Sequence, residues 1–300
     1  MNGRLIITGA GGFLGSHVVR QLCGEGAWDI AAVTLGADEM RGRCQGLSNL
    51  KIYSEDAIFT GAVVLDREDV VLNCAYPRAM SGTDVADGLD YVESVFKAAA
   101  SAGVRGIANI SSQSVYDPKR KHAATEQDRP CLTDGYSVGK YCMEKLLDSV
   151  CERVPHTSIR LASLIGPGFD ARVVNKLVAI ALRDRRLSIE KNRQRFGYLD
   201  VRDAARGITA LLCMDPKRWQ PVYNMGPRGA YTLEDFADII QRQLLDNWGI
   251  PISVETVDGD REANSELDSS LLIADIGEFR RLSMKESVDA IVRDMMKGHN

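Results

Sequence analysis

The sequence predicts an α/β protein: a doubly wound parallel sheet with a smaller C-terminal α/β lobe. Three observations carry this. Over the first 165 residues, short apolar runs alternate with amphipathic helical patterns, and strands that alternate with helices pair in parallel through crossovers. The run "TGAGGFLG" (8–15) stands between the first strand and the first helix, where glycine permits a tight turn and leaves a helix N-terminus open to an anion. After "IGPGF" (165–169) the texture changes, and longer helices are separated by short strands.

The elements follow from local patterns. "RLIITG" (4–9) is a buried strand, and residues 13–24 have helical spacing. "DIAAVT" (29–34), "LKIYS" (50–54), "DVVLNCA" (69–75) and "GIANIS" (106–111) are β-branched or aliphatic runs bounded by polar residues, and read as strands. "VADGLDYVESVFKAAASAG" (85–103) and residues 135–151 read as helices, with "TSIRLAS" (157–163) as the next strand. Beyond 169, helices are expected at 172–184, 200–213, 232–246 and 284–297, with strands at "PVYNMG" (221–226) and "ISVETV" (252–257). The helix at 283–298 reads as a packed C-terminal cap. No repeat, low-complexity stretch or long linker interrupts the chain, so two lobes packed on each other are expected.

Composition narrows the function. The formal net charge is -4 and 45% of residues are hydrophobic. A negative chain lacks the basic face that nucleic acid or an anionic membrane requires, but a few local cations suffice for a small anionic ligand. The seven cysteines are scattered and form no C-x-x-C pair, which implies free thiols in a reducing compartment and no structural zinc. His17, His122, His156 and His299 are too dispersed for a local metal motif. No apolar run reaches membrane-spanning length and the N-terminus has no secretory pattern. A cytoplasmic protein is expected.

Two motifs carry chemistry. Glycines 9, 12 and 15 follow the first strand at G-x-x-G-x-x-G spacing, which in this context predicts a cradle for a dinucleotide pyrophosphate. The acidic residue that would bind an adenosine ribose after strand two is absent: Thr34 and Leu35 stand there, with Asp38, Glu39, Arg41 and Arg43 further on. Those arginines are either ligands for a 2'-phosphate or solvated loop charges. The cofactor is NAD or NADP, with a slight lean to NADP(H). Glu55 and Asp56, just after strand three, are placed to reach an adenine amino group. The second motif is Tyr136 and Lys140, at i and i+4 on one helix face. A nearby ammonium favours a phenolate, and a Tyr so tuned exchanges a proton with an alcohol or ketone. Ser111 and Ser112, at the end of a predicted strand, offer a hydroxyl to the reacting oxygen.

"TGAGGFLG", "SSQSVYD" (111–117) and "YSVGK" (136–140), in this order, resemble the extended short-chain dehydrogenase/reductases, in the nucleotide-sugar epimerase/dehydratase branch. "RLASLIGPG" (160–168), "RFGYLDVRDAARGI" (195–208), "VYNMG" (222–226) and "TLEDFADII" (232–240) extend the resemblance through most of the chain. It implies a Rossmann-type dinucleotide-binding domain over 1–165, with 196–225 packing back onto it. Residues 166–195 and 226–300 would form the substrate-binding lobe. It implies that Gly9, Gly12, Phe13, Leu14, Gly15, Asp56 and Ala75 hold the cofactor, together with Tyr136 and Lys140. Ser112, Tyr136 and Lys140 would be catalytic. Ser111, Ser112, Arg195 and Arg261 would bind the substrate, the two arginines gripping a nucleotide-sugar diphosphate. A homodimer through the helices at 85–103 and 136–151 is implied as well.

The chain also departs from the pattern. The Asp-Glu pair of 4,6-dehydratases is replaced by Gln113 and Ser114, so sugar dehydration is not expected. The Cys and His of 3,5-epimerisation are absent from the matching segments. The expected activity is therefore that of a 4-epimerase that recycles NAD, or a 4-ketoreductase that consumes NADPH or NADH. The alternatives are a reductase or dehydrogenase of a non-nucleotide carbonyl compound, or a non-catalytic NAD(P) sensor. If Arg195 sits in a surface salt bridge, the diphosphate clamp fails.

Overall fold

The computed structural model describes residues 3–77, 82–169 and 172–297. In chain order its first elements are β1 (Arg4–Thr8), α1 (Phe13–Glu25), β2 (Asp29–Val33), α2 (Ala37–Arg43), β3 (Leu50–Tyr53), β4 (Val70–Asn73), α3 (Gly82–Ala102), β5 (Gly106–Ser112), α4 (Gly135–Val150) and β6 (His156–Leu161). There follow β7 (Ser163–Ile165), α5 (Val173–Asp184), β8 (Arg186–Arg195), β9 (Tyr198–Asp200), α6 (Val201–Leu212) and β10 (Val222–Met225). The chain closes with α7 (Leu233–Trp248), β11 (Ser253–Asn264), α8 (Ser270–Ile276) and α9 (Met284–Lys297).

Seven strands form one sheet in the order β10-β6-β5-β4-β1-β2-β3, and every pairing in it is parallel. This is the expected doubly wound, Rossmann-like sheet. Its strands are apolar on both faces, as a sheet covered on both sides requires. Leu5 and Ile7 of β1 join one core cluster, with α1 and α6, while Ile6 between them joins the other, with α3 and α4. Val70 and Leu72 of β4 repeat that alternation against Val71, the period of two that a strand imposes. A third cluster joins α5, β8, α7 and α9 through Val178, Ile189, Phe236, Ile240, Val288 and Ile291. Leu267 and Leu272, late in the chain, pack into the first cluster instead.

Several elements differ from expectation, among them the short pair β7 and β9. Residues 37–43, read as a charged loop, form a short helix, because Asp38 pairs with Arg41 and Glu39 with Arg43 one turn apart. The stretch "RLSIEKNRQR" was given no strand, and it forms β8. Only Leu187 and Ile189 of β8 enter the third core cluster; the rest of it is held by parallel pairing with β11 and by cross-strand ion pairs such as Arg186–Glu255. α8 also lay outside the expected helices.

One polar network ties α4 to the sheet. The Glu144 carboxylate of α4 accepts from Arg160 of β6, at 3.0 and 2.7 Å, and from the Ser111 hydroxyl of β5, at 2.5 Å. Arg160 also donates to the Tyr116 hydroxyl at 2.9 Å, which donates to Asn224 of β10 at 2.8 Å. Side-chain exposures of 5% for Arg160 and 3% for Glu144 make this a buried ion pair. Removing one partner of such a pair strands the other charge at a cost of about 3–5 kcal/mol, whereas replacing both by apolar residues is near neutral or stabilising. Arg160→Met is therefore expected to lower the unfolding free energy by roughly that amount in urea titration. Adding Glu144→Met should recover most of the loss. An Arg160→Met change of less than about 1 kcal/mol would show that the pair is not buried in solution.

Candidate active site

The carboxyl ends of β1, β2 and β4 open on a cleft of about 560 Å3, lined by Gly9, Gly12, Thr34, Glu55, Ala75 and Tyr76 among others. Ligands bind at this end of an open parallel sheet because loops and helix N-termini converge there. Gly9 has φ +67°, and a Cβ on it would lie 2.6 Å from the Ala75 nitrogen. A Cβ on Gly15 would strike the Gly9 carbonyl. Glycine is thus required at both positions to bring β1, α1 and the end of β4 together. α1 starts at an extended Gly12 with no side-chain cap, so its first N–H groups have no side-chain acceptor. These features fit a dinucleotide pyrophosphate. Leu14 is buried in the core and can offer a phosphate only its backbone. The Phe13 ring stacks on Phe169 with centroids 4.4 Å apart.

Tyr136 lies in the first turn of α4. That turn is set by a capping box in which Asp134 accepts from the Ser137 N–H at 2.7 Å. Burial raises the Tyr136 pKa, while the Ser112 hydroxyl and the positive charge of Arg172 act in the opposite direction. Ser112 ends β5, and its oxygen also accepts from the Ser114 hydroxyl at 3.0 Å. Lys140, one turn along α4, donates to the Ile110 carbonyl at 2.8 Å and lies 4.2 Å from the centre of the Tyr76 ring. Burial pushes its pKa down to about 8, against the charges of Cys74 and Glu144. The structure thus brings Ser112, Tyr136 and Lys140 together beside the cleft. It alters the expected tuning, however: the groups that favour the Tyr136 phenolate are Ser112 and Arg172, and the Lys140 ammonium is turned toward Ile110.

Four expectations need correction. Ser111, expected on substrate, is buried and spends its hydroxyl on Glu144. Asp56, expected on adenine, lies outside the cleft lining with its carboxylate on the Ser54 hydroxyl; Glu55 lines the cleft instead. Arg195 and Arg261 do not converge. Arg195 is exposed and pairs with Glu266 at 3.3 Å; Arg261 is exposed and pairs with Glu190 at 3.5 Å, further along the β8–β11 ribbon. Arg41 and Arg43 are likewise occupied by Asp38 and Glu39. The charged groups in the described cleft lining are the carboxylates of Glu55, Asp84 and Asp87.

Two residues of the site escaped the sequence reading. Arg172, the N-cap of α5, acts on Tyr136 and Tyr198. Tyr76 contacts both Tyr136 and Lys140. Its one sequence signal was Gly139 inside a helical pattern, a mark of close approach. Among the described residues no group of three or more His, Cys, Asp or Glu is placed to hold a metal, and no helix is long and apolar enough to cross a membrane. None of the seven cysteines is in a disulfide. His299 lies outside the described residues.

The chain is similar to known proteins over most of its length. The dTDP-glucose 4,6-dehydratase of Streptomyces griseus is 23% identical, over 97% of this chain and 94% of that protein. The dTDP-4-dehydro-6-deoxy-D-allose reductase of a Streptomyces species is 25% identical over 69% of this chain and 72% of that protein. Among solved structures, the UDP-glucuronic acid 4-epimerase of Bacillus cereus shares the fold, with a TM-score of 0.81 and 18% identity over 98% of this chain and 99% of that one. The profile of the NAD dependent epimerase/dehydratase family matches residues 5–226. A match running from β1 through β10 encloses both the glycine cradle and the Tyr136 helix, and the chain belongs to the NAD dependent epimerase/dehydratase family.

Proposed function

We propose that the protein is an NAD-dependent oxidoreductase of the 4-epimerase type, acting at a carbinol carbon of a nucleotide-activated sugar with Tyr136 as acid/base. The observation that carries this reading is the pairing of Tyr136 and Lys140 on one face of α4, both in contact with Tyr76 of the cleft lining beside the glycine cradle. Bound there, a nicotinamide dinucleotide supplies the hydride acceptor and donor. The backbone of Gly9, Gly12, Phe13, Leu14 and Gly15, with Ala75, would hold it. Ser112 holds the reacting oxygen at the Tyr136 hydroxyl. With its pKa raised by burial, Tyr136 keeps its proton at neutral pH and gives it to a keto oxygen. Ser112 and Arg172 favour the phenolate that remains, and this phenolate takes the alcohol proton in the oxidising direction.

The carboxylates of Glu55 and Asp87 in the cleft lining oppose a 2'-phosphate, and Arg41 and Arg43 are paired with Asp38 and Glu39. That favours NAD over NADP and reverses the lean taken from the sequence. Dehydration is disfavoured: Gln113 accepts from Arg120 at 3.3 Å and the Ser114 hydroxyl donates to Ser112, so neither stands in for an acid–base pair. The Bacillus cereus epimerase was solved with UDP-glucuronic acid and NAD, in line with a nucleotide-sugar substrate. A second reading, a non-nucleotide alcohol, is favoured by the salt-bridged Arg195 and Arg261. A sterol-4-alpha-carboxylate 3-dehydrogenase of Schizosaccharomyces pombe, 26% identical over 72% of this chain, is in keeping with it. A 4-ketoreductase keeps the same residues but exchanges its cofactor every cycle.

Mass spectrometry of the dinucleotide that copurifies should find NAD, retained through dialysis. Empty protein that binds NADPH tightly would overturn the epimerase reading in favour of the reductase. Tyr136→Phe should lower turnover of UDP- or dTDP-hexoses by at least about 100-fold, the scale of general acid–base catalysis, with dinucleotide affinity within about twofold in calorimetry; undiminished turnover would remove Tyr136 from the mechanism. Lys140 is charged below its pKa of about 8 and neutral above it. Activity that needs the ammonium should be full near neutral pH and fall as pH rises through about 8. A kcat profile flat to pH ~10, near the ordinary lysine value, would show that turnover does not depend on this charge.

A further inference from the structure

Tyr76 has been given no role so far, yet it touches both members of the pair. It follows Ala75 at the end of β4 and lines the cleft. Its ring lies 4.2 Å from the Lys140 nitrogen and meets the Tyr136 ring edge-on, with centroids 5.1 Å apart. Its hydroxyl donates to the Tyr136 carbonyl at 3.3 Å. The hydroxyl has room because residue 139 is glycine: a Cβ there would lie 2.5 Å from the Tyr76 oxygen. Glycine is disfavoured in a helix interior relative to alanine, so its place between Val138 and Lys140 is explained by the phenol it admits.

The surroundings of Lys140 show what the ring does. One ammonium hydrogen goes to the Ile110 carbonyl of β5. The Cys74 thiol, at the end of β4, is held neutral by burial, with its pKa raised to about 12. The Glu144 carboxylate of α4 is shared with Arg160 of β6 and Ser111 of β5. Tyr136 is a neutral phenol on the same helix. Glu144 therefore acts on this buried cation only through its charge, and the groups of negative potential in direct contact with the ammonium are the Ile110 carbonyl and the face of the Tyr76 ring. A cation over an aromatic face is attracted most strongly where water is excluded.

We propose that Tyr76 is a positioning residue of the Tyr136–Lys140 pair, its ring holding the Lys140 ammonium against Ile110 and its hydroxyl, seated beside Gly139, locking that ring to the first turn of α4. The proposal rests on the acid–base reading of the pair, but it can be tested without turnover. The Lys140 ionisation midpoint can be read from its 13Cε NMR shift in lysine-labelled protein, assigned with Lys140→Met. Tyr76→Leu keeps the site apolar but removes the ring. It should lower the midpoint by about one pH unit, and the alkaline limb of kcat should move with it.

Gly139→Ala should give a downward shift as well, because the new methyl group drives the phenol from its slot. Tyr76→Phe combined with Gly139→Ala should restore the midpoint, since the methyl group then meets only the ring carbon at 3.4 Å. A midpoint unmoved in Tyr76→Leu, or a double variant that stays shifted, would overturn the proposal. The rescue guards against misfolding: a structural defect from Gly139→Ala would not be repaired by removing one oxygen from another element. If the midpoints move as expected while the wild-type protein turns over no alcohol or nucleotide sugar, Tyr76 keeps its role toward Lys140 and the functional reading falls.

Discussion

The arrangement of the site depends on how α4 docks against the sheet, and the Glu144–Arg160 ion pair decides that. Tyr136, Lys140 and Glu144 follow one another at intervals of four on a single helix face. Burying an ion pair costs solvation free energy that hydrogen bonds only partly return. What it brings here is direction. Glu144 can meet both Arg160 and Ser111 in only one rotation and one register of α4. That setting also delivers Lys140 to the Ile110 carbonyl and Tyr136 to Ser112. An apolar contact at residue 144 would tolerate a helix slide of an ångström or two, enough to part a phenol from a serine hydroxyl.

The parallel sheet supplies the other half of the arrangement. Thr8, Asn73, Asn109 and Ser158 sit side by side in the register of β1, β4, β5 and β6. Their side chains form a row: Thr8 donates to Asn73 at 2.7 Å, Asn73 to Asn109 at 2.9 Å, and Asn109 to Ser158 at 3.5 Å. Each is buried, so each needs its neighbour. A slip of one residue in any strand would leave unpaired amides inside the sheet. The row thereby fixes the relative heights of the strand ends, and with them the spacing between Gly9, Ala75 and Ser112.

What was legible in the sequence follows from the range of the forces involved. The alternating strands, the glycine cradle and the Tyr136–Lys140 helix are encoded within a few residues of one another, and all three formed. Two of the errors lie where a side chain chose its partner from afar, whereas Asp56, Arg41 and Arg43 found theirs within four residues. Arg195 is 71 positions from Glu266, and Ser111 is 33 from Glu144. Nothing local distinguishes a serine that meets substrate from one that meets a buried glutamate. β8 was missed for a related reason: most of its hold comes from β11, more than 60 residues later. Tyr76 was missed because its partner is an absence, the side chain that Gly139 does not have.

The salt bridges of Arg195 and Arg261 bear on substrate choice through their exposure. An ion pair in solvent contributes about 0–1 kcal/mol, so little is lost when its arginine turns to another anion. A diphosphate offers more: two charges, several acceptor oxygens and bidentate geometry. Arg195 and Glu266, 3.3 Å apart on the exposed β8–β11 ribbon, can therefore exchange partners at small cost. Arg160, buried and bound to Glu144 and Tyr116, cannot. Arg172 needs no exchange at all, because it has no ion pair among the described residues and already acts on Tyr136. The exposed arginines can thus change partners at small cost, while the buried one holds the frame.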